Sequence, residues 1–113
     1  MTIDDLKTYG ANTEEGLTRC MNNESFYLRL VKMIPGDANF QKLYDAVDSG
    51  DLDAAFDAAH GLKGSTGNLA LTPIFAPISE ITELLRTKTK TDYTALIARI
   101  REGRDELARI CEE

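Results

Sequence analysis

Residues 51–69 read DLDAAFDAAHGLKGSTGNL. Leu52, Ala55, Phe56, Ala59, Leu62 and Thr66 recur at spacings of three and four, which puts them on one inward face of an α-helix. Asp51 stands just before them as a good N-cap. Gly61, Gly64 and Gly67 fall in the second half, each costing about 1 kcal/mol relative to alanine in a helix interior. At about 100° per residue from Leu52, the apolar set centres near −35°. On the same wheel His60 falls at about 80°, Gly67 at about 60°, Gly64 at about 120° and Gly61 at about 180°. The histidine is therefore flanked by glycines on the side turned from the core. Lys63, at i+3, is its nearest charged neighbour on the helix surface.

Helical spacing continues in both directions. Upstream, Phe40, Leu43, Tyr44 and Val47 mark a helix stopping at Ser49-Gly50. Before it, Phe26, Tyr27, Leu30, Val31 and Ile34 form a stripe closed by Pro35-Gly36. Thr2 with Asp5, and Asn12 with Glu15, have the form of capping boxes opening two short N-terminal helices. Downstream, Thr72-Pro73 is expected to restart the chain as N-cap and first-turn proline, with Ile74, Ile78, Ile81 and Leu85 inward. Pro77 should kink or delay that helix. A last helix follows Lys88-Thr89-Lys90 and uses Tyr93, Leu96, Ile97, Ile100, Leu107, Ile110 and Cys111. Gly103 interrupts its stripe, as a close helix–helix approach would require.

No alternating strand pattern competes. The expected fold is all-α: an up-and-down four-helix bundle over 23–113, with helices in 1–20 covering one end, the whole forming one domain. The alternative use of the N-terminal helices is a dimer contact; a monomer is expected.

The chain has 113 residues, 13 Lys+Arg against 19 Asp+Glu, a net charge of −6 and one histidine. An acidic chain lacks the basic face that nucleic acid or an anionic membrane requires. One histidine and two distant cysteines, Cys20 and Cys111, cannot assemble a Cys/His zinc site, so no metal site is expected. No apolar stretch is long enough to span a membrane, and the N-terminus lacks the basic and apolar regions of a signal peptide. The expectation is a cytoplasmic protein with reduced thiols, a Cys20–Cys111 bridge being the alternative. The initial methionine and complete caps lead us to expect a freestanding protein.

His60 has an ordinary reading and a chemical one. Gly64–Gly67 could be a loop ending the helix, and Lys63 a lysine lying along the surface. Alternatively, a neutral imidazole is a nucleophile, glycines let another protein's active site approach it, and Lys63 offsets the charge of a phosphoryl group. A rigid helix would keep the nucleophile aimed.

Residues 59–69, AHGLKGSTGNL, resemble the signature of histidine-containing phosphotransfer (Hpt) domains: a histidine, a variable residue, an apolar residue, then Lys-Gly and small polar residues. The order and lengths of the flanking helices are similar to the family's. The chain departs from it at Ala70, where glycine is common, and at Pro77. The resemblance implies a phosphorelay intermediate of two-component signalling. His60 would accept a phosphoryl group from a receiver-domain aspartyl phosphate and pass it to another receiver. Lys63 would stabilise the phosphoryl oxygens. Gly64, with Gly61 and Gly67, would give clearance, and Ser65 and Asn68 would make polar contacts to the partner. The distal ring nitrogen is expected to react. The implied partners are response-regulator receiver domains and a hybrid sensor kinase.

Mg²⁺ is expected from the receiver, and no cofactor from the chain itself. The chain lacks a Gly-rich loop ending in Lys-Ser/Thr, so it should be a phosphocarrier without ATP-dependent kinase activity. Two other readings stand beside this one: a helical module that docks a partner without phosphotransfer, and a small metal-dependent hydrolase. The second of these lacks any His-x-x-x-His or clustered carboxylates. Residues 1–60 carry 11 acidic and 5 basic side chains, and 61–113 eight of each. Asp45, Asp48, Asp51, Asp53 and Asp57 are read first as caps and a solvated face. Selection of a receiver with a basic rim is their functional alternative.

Overall fold

The computed structural model describes residues 1–112, and among these there are seven helices and no strand. They are α1 (Ile3–Tyr9), α2 (Thr13–Arg19), α3 (Glu24–Met33), α4 (Asn39–Ser49), α5 (Leu52–Asn68), α6 (Thr72–Arg86) and α7 (Thr94–Cys111). Side-chain oxygens start four of them. Thr2 and Asp5 form a reciprocal capping box at α1, while Asn12, Asn23 and Asp51 accept from the third residue beyond them at α2, α3 and α5. Gly50, with φ 76°, closes α4 in the left-handed conformation.

The bundle forms as each helix turns its apolar stripe to the same axis. Leu62 of α5, Ile74, Ile78 and Ile81 of α6, and Ile100 and Leu107 of α7 are completely buried. Each such side chain contributes about 1.5–3 kcal/mol relative to exposure. Helices α3 and α4, broken at Pro35, run in succession antiparallel to α5. Tyr27 of α3 donates to the Leu69 carbonyl at 2.8 Å, and Asn39 of α4 lies against Gly61. Burial pushes the Tyr27 phenol up to about 12, so it stays a donor at physiological pH. Arg101 and Arg104 of α7 lie over the rings of Tyr44 and Phe40 at 3.9 and 4.7 Å, joining α7 to α4.

Helix α7 approaches α6 closely at Gly103. A Cβ there would stand 3.2 Å from that of Ile74, so the interruption in the stripe is a packing requirement. The Gly103 carbonyl also accepts from Tyr9 of α1 at 3.0 Å. The same end of the bundle receives α2: Gly16 sits against the Tyr27 ring, where any Cβ would clash at 2.5 Å. Thus α1 and α2 cover the end at which α5 finishes and α6 begins. Both cysteines are free thiols, Cys20 buried and Cys111 half-buried.

Two local expectations change. Thr72 is the first residue of α6 and not its cap; Leu71 takes the cap position with no side-chain hydrogen bond. Leu71 is fully buried, so core packing starts this helix in place of a polar cap. Pro77 does not delay the helix, which begins five residues before it. Its missing N–H removes only the bond to the Pro73 carbonyl, and its ring is buried in the core.

Helix α5 ends in a Schellman arrangement: the Ala70 and Leu71 N–H groups donate to the Gly67 and Thr66 carbonyls, both at 3.0 Å. Ala70 itself has φ 54°. Left-handed backbone costs an alanine about 1–2 kcal/mol, partly offset by the lower entropy of its unfolded chain. The Ala70 carbonyl accepts from Asn12 at 2.9 Å, so the strained turn also anchors the N-terminal helices. Ala70→Gly should therefore raise stability by about 0.5–1 kcal/mol in urea unfolding. Equal or lower stability would show that the turn carries no strain.

Candidate functional site

Helix α5 stays regular through all three glycines to Asn68, which removes the reading of residues 64–67 as a loop. Its buried face consists of Ala55, Ala58, Ala59, Leu62 and Thr66. Thr66 is kept there by donating its hydroxyl to the Leu62 carbonyl at 2.7 Å. The opposite side presents His60, which is exposed. Its ring stacks on Phe56, one turn earlier, with centroids 5.5 Å apart and 16° between planes. Phe56 is half-buried at the edge of the inward face, where it supports the imidazole from below. The Arg86 guanidinium lies over the same Phe56 ring, 5.0 Å from its centroid.

Lys63 is half-buried, and its Nζ lies 3.4 Å from Oε2 of Glu83 on α6. Arg86 approaches the same oxygen at 3.3 Å. The Arg86 hydrogen bond, with help from Lys63, holds the Glu83 carboxyl below the usual glutamate range. An exposed pair of this kind exchanges partners readily, so the ammonium can move to another anion.

The three glycines divide by what surrounds them. A Cβ on Gly61 would meet the Asn39 amide at 2.9 Å, and one on Gly67 the Phe75 ring at 3.1 Å. Nothing lies within 4 Å of a Cβ built on Gly64. Internal packing accounts for Gly61 and Gly67 but leaves Gly64 without any intramolecular reason to be glycine.

His60, Lys63, Gly64, Gly67 and Asn68 line one shallow depression of about 330 Å³, completed by Phe75 of α6 and Arg19 of α2. Gly61 and Ser65 lie outside it. The Ser65 hydroxyl donates to the Gly61 and Leu62 carbonyls, both at 3.3 Å. Ser65 faces a second, more apolar hollow shared with Asn68, Leu30, Met33 and Leu69. Arg19, Phe75 and Glu83 were not legible as site residues, because each arrives from another helix. Arg19 is one of five basic side chains in residues 1–60, and nothing in its local spacing sets it apart from the others.

The acidic residues near His60 in sequence do not form a rim around it. Asp51 is the α5 cap, Asp45 accepts from Gln41 at 2.9 Å, and Asp53 pairs with Lys88 at 3.2 Å. Asp48 belongs to a hollow between α4 and α7. Asp57, one turn before His60, is the acid left beside it. Among the described residues, no three His, Cys, Asp or Glu side chains gather as a metal site, and no helix is long and apolar enough to cross a membrane.

An exposed imidazole on a rigid helix, a lysine one turn on, and a glycine-cleared approach form a surface suited to group transfer between proteins. No curated protein and no solved structure matches the chain. A family model described as Hpt domain matches residues 36–112, more than half of the chain and all of α4 to α7. Domains of this family are phosphocarriers of two-component signalling and interact with receiver domains. The chain belongs to the Hpt domain family.

Proposed function

We propose that His60 is the phosphoacceptor of a phosphorelay intermediate, taking a phosphoryl group from one receiver-domain aspartate and handing it to another. The observation that carries this reading is Gly64. A helix-interior glycine costing about 1 kcal/mol, open to solvent and one turn from an exposed histidine, has its use in what approaches from outside.

In the transfer, the lone pair of the unprotonated ring nitrogen attacks phosphorus in line with the departing oxygen. The N–P bond forms, the P–O bond breaks, and the aspartate leaves as a carboxylate with the bonding pair. The other ring nitrogen keeps its proton. The distal nitrogen is the one expected to react. Such chemistry depends on positioning and charge neutralisation, which here fall to the Phe56 stack beneath the ring and to Lys63. Lys63 would exchange the Glu83 carboxylate for the phosphoryl oxygens. Mg²⁺ would come with the receiver, as no group of three His, Cys, Asp or Glu side chains gathers among the described residues. Gly61 and Gly67 would act through the shape of α5, and Ser65 and Asn68 as contacts to the docked partner.

The whole chain, as a cytoplasmic monomer, would serve between a hybrid sensor kinase and a response regulator, without ATP-dependent activity of its own. Reverse transfer uses the same groups in the opposite order.

Receiver domains carrying labelled aspartyl phosphate should transfer acid-labile, base-stable label to the chain. His60→Gln should abolish that label; label surviving the substitution would sink the assignment. Lys63→Ala should slow transfer at least about tenfold, the equivalent of 1.4 kcal/mol in the barrier, with the melting temperature little changed. Unchanged kinetics would remove its role. Binding of receivers without any labelling would favour the docking-module reading.

Gly64→Ala separates stability from function. It should raise stability by up to about 1 kcal/mol, since the added methyl meets nothing within 4 Å, while slowing transfer. Transfer as fast as in the wild type would show that Gly64 provides no clearance.

A further inference from the structure

We infer that Arg19 of α2 is a second docking point for the receiver, binding an acidic side chain on the partner's surface about two helical turns along α5 from His60. The inference rests on the phosphotransfer reading above and adds a residue outside the family match, which begins at residue 36.

Arg19 lines the same depression as His60 and Lys63. It is placed there from outside α5: one Nη1 hydrogen donates to the Gly67 carbonyl and one Nη2 hydrogen to the Glu15 carboxylate. A guanidinium has five N–H groups. Among the described residues these are its hydrogen-bonded partners, so three N–H groups remain, and the side chain is 46% exposed. The bond to Gly67 fixes the guanidinium at the rim while leaving its outer edge to a partner. Such a planar edge matches a carboxylate with two parallel hydrogen bonds.

Geometry separates this role from that of Lys63. Gly67 lies seven residues beyond His60 along α5, about 10 Å at 1.5 Å per residue. Its bond to the Gly67 carbonyl holds the guanidinium at the other end of that interval from the imidazole, which has Lys63 one turn away. What Arg19 meets must belong to the docked protein itself. The backbone between the two points carries Gly64, open at its Cβ, which lets a partner lie close enough to touch both. Charge favours an acidic group there. The chain carries −6 overall, yet Arg19 and Lys63 are both cations of this depression. A partner carboxylate would be repelled from most of the remaining surface and accepted here.

Glu15 is a competitor for the same guanidinium. Exchange of its carboxylate for the partner's would change which acid Arg19 holds without disturbing the Gly67 bond.

The test is a binding titration in which no phosphoryl group moves. Unphosphorylated receiver domains are titrated into the His60→Gln chain and into the His60→Gln chain also carrying Arg19→Ala. Arg19→Ala should raise Kd about tenfold, as expected for loss of a hydrogen bond between charged groups, with the difference shrinking as salt is raised. Equal Kd values for a folded Arg19→Ala chain overturn the proposal, as does failure of every receiver to bind. Glu15→Gln gives an independent reading that keeps Arg19 in place. It should lower Kd two- to threefold, whereas a strut serving only to hold α2 on α5 predicts no tightening, and that result also overturns the proposal. Failure here leaves acid-labile labelling of His60 untouched, while absence of that labelling leaves these Kd values readable.

Discussion

The geometry around His60 depends on α5 remaining helical across three interior glycines. Their summed propensity cost is about 3 kcal/mol, enough to end most short helices. The opposite face offsets it. Ala55, Ala59, Leu62 and Thr66 are completely buried between α4 and α6, so the segment can lose its helix only by exposing the centre of the core. Tertiary packing overrides local preference here, and the result is a straight segment with one face dense and the other nearly bare.

That contrast explains how a small surface can be both rigid and accessible. Side chains from neighbouring helices support the bare face without covering it. Asn39 and Phe75 press against Gly61 and Gly67, Phe56 lies beneath the imidazole, and Glu83 holds Lys63 to one side. The N-terminal helices close the end of the same face through Arg19 and the Ala70 turn. A phosphocarrier benefits from such an arrangement: its nucleophile stays aimed while two different partners must each reach it.

Much of this was legible in the sequence because it is local. The caps at Thr2, Asn12 and Asp51 depend on residues three apart, and the inward stripes and the outward phase of His60 depend on helical periodicity alone. The close approach at Gly103 could be read from a break in its stripe. What escaped reading depends on contacts distant in the chain. Thr72 has the chemistry of a cap, but the buried Leu71 sets the start of α6. Pro77 looks disruptive, yet it falls where a single missing hydrogen bond is tolerated. Phe56 fits the inward stripe, yet it lies half-buried at the edge of that stripe and stacks on the histidine. Arg19 reaches the site across 48 residues of sequence, through a hydrogen bond to a main-chain carbonyl that no pattern marks.

On the proposed reading, the chain carries phosphate on His60 and on no other residue. Phosphorus NMR of the native chain, taken after equilibration with a receiver domain and excess phosphoryl donor, measures this directly. A single phosphoramidate resonance, at no more than one phosphoryl group per chain and vanishing on brief acidification, is the predicted result. A resonance that survives acid, as a phosphoester on Ser65 or any other hydroxyl would, contradicts it.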